Sequence, residues 1–170
     1  MRGCIQIYTG PGKGKTTAAL GLAVRAAGAG FKVFIGQFLK KGGFSELKSL
    51  RRIPGIVVRQ FGCGPFIRGA PTPAEIRAAQ RGLARLRSAM LGGRFGLVIA
   101  DEANCAAACG LLAWRDLVQL AEDKPDPVEL VFTGRGAHRS LIRRADLVSV
   151  IEARKHPYAS GLRGRRGIEW

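Results

Sequence analysis

Apolar positions along this chain follow two alternating rhythms. Short apolar runs bounded by glycine, proline or polar residues alternate with longer stretches at helical spacing. The runs Cys4-Ile5-Gln6-Ile7-Tyr8, Val33-Phe34-Ile35, Ile56-Val57-Val58, Leu97-Val98-Ile99-Ala100, Leu130-Val131-Phe132 and Leu147-Val148-Ser149-Val150 are predicted strands, because β-branched and aromatic side chains suit a pleated, buried surface. The helical rhythm predicts an Ala/Leu-rich helix over 16–27, ended by Gly28 and Gly30. A second helix opens at Thr72-Pro73-Ala74-Glu75. There Thr72 can cap, Pro73 suits the first turn and Glu75 can reach back to the cap. Ile76, Ala79, Leu83, Leu86 and Met90 then repeat at three- and four-residue steps. A third helix is expected over 112–121. Residues 40–43, polar and glycine-rich, predict a mobile loop, and 155–170, rich in Gly and Arg, an irregular C-terminal tail.

Strands alternating with helices require crossover connections, which cover both faces of a mostly parallel sheet. The expected fold is therefore α/β: a mostly parallel sheet of about six strands with helices on both faces. A length of 170 residues supports one such core rather than two, so 1–170 is expected to form a single domain.

Composition changes this picture in two ways. A hydrophobic content of 46% excludes disorder as the default. The balance of 28 Lys+Arg against 12 Asp+Glu, a formal +16, draws the chain towards anions: nucleotides, nucleic acid, acidic membranes or polyanionic cofactors. Much of that charge, in pairs such as Arg51-Arg52 and Arg143-Arg144, reads as solvated surface. The four cysteines, Cys4, Cys63, Cys105 and Cys109, form no pair of Cys-x-x-Cys clusters, which argues against a zinc ribbon and for free thiols. No apolar run approaches the roughly 20 residues of a membrane helix, and the expected location is the cytoplasm.

The chemistry concentrates in Thr9-Gly10-Pro11-Gly12-Lys13-Gly14-Lys15-Thr16-Thr17, between the first strand and the first helix, a placement that makes 1–170 an expected single nucleotide-binding domain of RecA-like P-loop fold. Glycines let backbone N–H groups turn inward around phosphates, and the helix N-terminus adds a positive dipole end. Lys15 can reach phosphate oxygens and the Thr16 hydroxyl can ligate Mg²⁺. Counting back from Gly14, the first glycine of the general pattern is displaced by one, to Gly10, and Lys13 adds a second cation. Asp101-Glu102 follows an apolar strand, so one carboxylate can hold Mg²⁺ while the other could activate a water. Thr133-Gly134-Arg135-Gly136 places a guanidinium on the same edge, where Arg135 can bind phosphate or stabilise developing charge. His138 and His156 have no partner spacing for a metal.

With these pieces in order, nearly the whole chain resembles the ATP:corrinoid adenosyltransferases. The markers are the loop with Gly at position 10, Gln37-Phe38, Asp101-Glu102, Thr133-Gly134-Arg135-Gly136, Ala145-Asp146, Lys155-His156-Pro157-Tyr158 and Arg166-Gly167-Ile168-Glu169. The Lys-His-Pro-Tyr stretch is the most discriminating of them. The resemblance implies transfer of the 5′-deoxyadenosyl group of ATP to cobalt(I) of a corrinoid, with release of triphosphate. It implies that Lys15 and Arg135 act on the leaving group and that Gly10, Gly12, Lys13, Gly14, Thr16, Thr17 and Arg25 join them around the phosphates. Mg²⁺ would be held by Thr16 with Glu102 or Asp101, and Glu102 is favoured. Phe66, within Pro65-Phe66-Ile67, together with Lys155 and His156, would face the corrinoid. The resemblance further implies an electron-donating reductase, a homodimer and no membrane. Longer members carry a segment ahead of the first strand that helps to cover the site; here the expectation is a site without that cover. Three other readings fit parts of the sequence. A RecA-like ATPase on nucleic acid would use Glu102 as a base, but leaves Lys155-His156-Pro157-Tyr158 unexplained. A thymidine kinase-like enzyme would need late zinc cysteines, and none follows Cys109. A P-loop module that binds without turnover is the third.

Overall fold

The computed structural model describes residues 2–63 and 69–169. Among them, six strands form one sheet in the order β3-β2-β4-β5-β1-β6, every pairing parallel. The strands are β1 (Ile5–Thr9), β2 (Val33–Gln37), β3 (Ile56–Gln60), β4 (Leu97–Asp101), β5 (Glu129–Thr133) and β6 (Leu147–Val150). Six α-helices connect them: α1 (Lys15–Gly28), α2 (Ser45–Leu50), α3 (Pro73–Leu91), α4 (Ala103–Ala108), α5 (Trp114–Glu122) and α6 (Arg139–Ile142). This is the α/β architecture the alternating rhythm predicts, of the P-loop kind expected from the glycine loop after β1.

The central strands are buried on both faces, and successive residues serve different cores. Val98 and Ala100 of β4 join Leu130 and Phe132 of β5 in one apolar cluster, completed by Leu86 and Met90 of α3 and Leu117 and Leu120 of α5. Leu97 and Ile99 join Val131 in the other, against Ala19 and Ala23 of α1 and Leu50 of α2. A one-residue slip of β4 would exchange the two sets, so register is strongly specified. Phe34 and Phe95 meet edge-to-face with ring centroids 5.4 Å apart in the first cluster.

α3 begins as its sequence dictates. The Thr72 hydroxyl accepts from the Glu75 N–H at 3.3 Å, and the Glu75 carboxylate accepts from the Thr72 N–H at 2.8 Å. α5 starts at Trp114 rather than at 112, because the Asp116 carboxylate binds the Ala113 N–H at 3.2 Å and fixes the first turn there. Three helices escape the sequence pattern. α2 and α4 have six residues and α6 four, too short to show a helical period. The expected mobile loop at 40–43 also needs correction at its first residue: Lys40 is anchored by two carboxylates.

Because all strands run in parallel, Thr9, Gln37, Asp101 and Thr133 emerge at one edge of the sheet. β1 lies beside β5 while its crossover leads away to β2. Strand order reverses at this point, which is where open α/β sheets gather ligands. Residues 155–169 are irregular apart from a 3₁₀ turn, Pro157–Ser160, and return across this edge. No helix among the described residues is long and apolar enough to cross a membrane.

Candidate functional site

The loop between β1 and α1 owes its shape to the far end of the chain. Gly10 has φ 102, and a Cβ there would lie 2.4 Å from the Ile151 carbonyl oxygen. At Gly12 a Cβ would lie 2.6 Å from the Glu152 carbonyl carbon. The Gly12 N–H donates to the Ile151 oxygen at 2.8 Å, and the Ile151 N–H donates to the Thr9 oxygen at 2.8 Å. The displaced glycine thus has a steric cause: the loop lies flush against the chain leaving β6, and side chains at 10 or 12 would force them apart.

Lys15, 7% exposed, curls back over the loop. Its ammonium donates to the carbonyls of Gly10 at 2.9 Å and Gly12 at 2.6 Å. Burial lowers its pKa, while the nearby Glu102 carboxylate works in the opposite direction. Thr16, one residue on, donates its hydroxyl to Asp101 Oδ1 at 2.8 Å.

Asp101 is fully buried and saturated with donors. Besides Thr16, Oδ1 accepts from the Thr133 hydroxyl at 2.8 Å, while Oδ2 accepts from Gln37 Nε2 at 3.1 Å and stands 3.4 Å from Lys40 Nζ. Lys40 is also 3.1 Å from Glu46 on α2, which ties that short helix to the sheet edge. Its ammonium is desolvated, yet the Asp101 and Glu46 charges together raise its pKa. Glu102 differs sharply from its neighbour. It has φ 60, the one left-handed non-glycine among the described residues, held by its N–H donating to the Thr133 hydroxyl at 2.8 Å. Such strain persists only where surrounding contacts over-determine it. It turns the Glu102 side chain to the cavity, while Asp101 points beneath the loop.

That cavity has a volume of about 1070 Å³, ample for a nucleotide. Gly12, Lys13, Gly14, Lys15, Thr16 and Thr17 form one wall, and Glu102, Cys105 and Arg135 another. Lys40, Glu46 and Ser49 enclose a third side. The Arg135 N–H donates to Cys105 Sγ at 3.1 Å, which fixes the turn carrying the guanidinium. Burial and the Glu102 carboxylate push the Cys105 thiol up to about 12, so the sulfur serves as a neutral acceptor. An all-oxygen set of the Thr16 hydroxyl and Glu102 carboxylate is the donor chemistry that Mg²⁺ takes. Asp101 supports that set from behind rather than lining the cavity.

The remaining sequence candidates scatter. Arg25 is exposed in the last turn of α1, about 15 Å along the axis from Lys15 at 1.5 Å per residue, and does not line the cavity. Lys155 is exposed and outside it, whereas His156 lines it. Phe66 lies outside the described residues. His138 caps α6 and stacks on Trp114, a structural role. No group of three or more metal-ligating His, Cys, Asp or Glu occurs among the described residues. Sequence reasoning missed Lys40 and Glu46 as site residues, and Glu169, which reaches Lys13 from the tail. Their spacing carries no motif; only the conjunction of a lysine after β2 with an acid six residues on hinted at the first pair.

Comparison with known proteins agrees with this geometry. Residues 1–170 match the family described as ATP:corrinoid adenosyltransferase BtuR/CobO/CobP. The corrinoid adenosyltransferase of Escherichia coli K12 is 30% identical over 169 residues, covering 99% of this chain and 86% of that protein. Corrinoid adenosyltransferase CobA of Salmonella typhimurium is 32% identical over 173 residues, with 99% and 86% covered. The corrinoid adenosyltransferase of Pseudomonas aeruginosa is 30% identical over 177 residues, with 99% and 84% covered.

Proposed function

Because this chain belongs to the ATP:corrinoid adenosyltransferase family, we propose that the cavity over the glycine loop seats the triphosphate of ATP as a leaving group while C5′ faces a reduced corrinoid. The chain is a corrinoid adenosyltransferase, with ATP and a corrinoid as its substrates. In the reaction the cobalt(I) electron pair forms the Co–C5′ bond, and the C5′–O bond breaks with its pair leaving on triphosphate. No protein base is required. The protein's contribution is positioning and charge neutralisation.

The observation that carries this assignment is the convergence of Lys13, Lys15, Arg135, Thr16 and Glu102 on one cavity. Loop N–H groups from Gly12 to Thr17 would wrap the phosphates, with Lys15 leaving the Gly10 and Gly12 carbonyls for phosphate oxygens. Arg135 would meet the chain from the opposite wall. Thr16 and Glu102 would hold Mg²⁺, which supplies further neutralisation of the leaving group. Cytoplasmic location, a homodimer of single-domain chains and a reductase that delivers cobalt(I) complete the reading. His156 at the cavity wall, together with Lys155 and Phe66, would contact the corrinoid.

The test is to incubate the protein with ATP, Mg²⁺ and chemically reduced cobalamin, following the cobalamin spectrum and the phosphate products. Light-sensitive adenosylcobalamin with inorganic triphosphate is expected. ADP without adenosylated corrinoid would overturn the reading.

A further inference from the structure

The tail returns to the phosphate loop carrying a negative charge. Gly167, Ile168 and Glu169 line the same cavity as the loop. Glu169 Oε1 accepts from Lys13 Nζ at 2.7 Å. The carboxylate does not rest there by chance of a flexible side chain. Its Oε2 accepts from the Arg165 backbone N–H at 2.6 Å, and the Arg165 guanidinium reaches Oε1 at 3.1 Å and Oε2 at 3.3 Å. The Glu169 N–H in turn donates to the Arg165 oxygen at 2.9 Å, closing one turn of chain around the contact. Arg165 and Lys13 hold this carboxyl down to about 2, so it is charged throughout the neutral range.

A carboxylate is an odd neighbour for a triphosphate. Lys13 has three N–H donors on a point charge, and any phosphate oxygen that approaches it meets Glu169 as a competitor of like sign. The competition is keener for free inorganic triphosphate, which has a charged oxygen where ATP has its ester. We propose that Glu169 is an internal counter-ion of the phosphate loop, holding Lys13 when no triphosphate is seated and contesting it when one is, so that the product triphosphate leaves faster than the loop alone would allow. The proposal rests on the reading that this cavity binds the triphosphate, and adds what limits the strength of that grip.

The experiment measures binding of inorganic triphosphate, with Mg²⁺, by calorimetry and its departure by competition. It uses the wild-type chain, Glu169→Gln, Lys13→Gln and the double variant. Glu169→Gln should bind inorganic triphosphate about twofold to fivefold more tightly, the range for an exposed ion pair, with the change in the off-rate. Lys13→Gln should bind more weakly, and adding Glu169→Gln to it should change nothing further, because the contested group is gone. Thermal unfolding of all four should stay close together, since both partners are solvent-accessible. If the wild type binds triphosphate but Glu169→Gln binds it no tighter, or tightens it equally without Lys13, the counter-ion proposal is overturned while the cavity assignment survives. If the wild type fails to bind triphosphate at all, both fall.

Discussion

Two polar clusters meet at the phosphate loop and solve opposite problems. Beneath it, Asp101 is wholly buried and receives two hydroxyls, an amide and an ammonium. Above it, Lys13, Glu169 and Arg165 meet in solvent, with side chains 42%, 25% and 50% exposed. In the buried cluster each donor has a fixed acceptor, and loss of one leaves a desolvated polar group that nothing can replace. In the exposed cluster water and salt can substitute for any partner. The lower cluster is therefore suited to hold geometry, and the upper one to exchange a ligand.

Variants at the two levels should separate accordingly. Lys15→Ala removes the cation nearest the loop carbonyls and should lower kcat/KM for adenosylation by about 100- to 1,000-fold, measured at steady state. Asp101→Asn should harm fold and function together. An amide in that position presents an NH₂ to two donors, a cost of about 1–3 kcal/mol in urea unfolding and about 2–4 °C per kcal/mol in Tm. If Asp101→Asn leaves Tm unchanged, the distinction between the clusters is lost. Gly10→Ala introduces strain of about 1–3 kcal/mol against Ile151 and should weaken ATP binding roughly tenfold in equilibrium titration.

How much of this was legible beforehand follows from the range of each interaction. The loop, Asp101-Glu102 and the Thr133-Gly134-Arg135 turn lie in single short stretches, each just after an apolar strand, so pattern and chemistry pointed to the same edge. The left-handed turn at Glu102 was not legible, because it depends on the Thr133 hydroxyl arriving from another strand. Lys40 read as loop because its partners are a helix too short to show a period and a carboxylate on β4. Glu169 stood in a marker stretch, but nothing local says that it meets Lys13. His156 and Lys155 are adjacent in sequence yet differ in access to the cavity, since neighbours in an irregular segment need not face one way.

Smaller effects refine the contrast. The advantage of Glu169→Gln in triphosphate binding should be constant between about pH 6 and pH 8. The carboxyl is depressed to about 2, so its charge is fully present above the ordinary carboxylate range and is lost only as pH falls towards that value. The same advantage should shrink as salt rises, because the contact is exposed. A ratio that varies across neutral pH or ignores salt would place the contact in a drier setting than its exposure indicates.

The support of Gly10 and Gly12 by the chain leaving β6 has a consequence for biosynthesis. β1 and its loop are made before the surface that shapes them, which follows after five further strands. A nascent chain still lacking β6 holds the whole motif and no cradle. Contacts so distant in sequence form late and slowly, so nucleotide occupancy should appear only when the sheet is closed at that edge, and ATP can act as a reporter of completed folding rather than as a template for it.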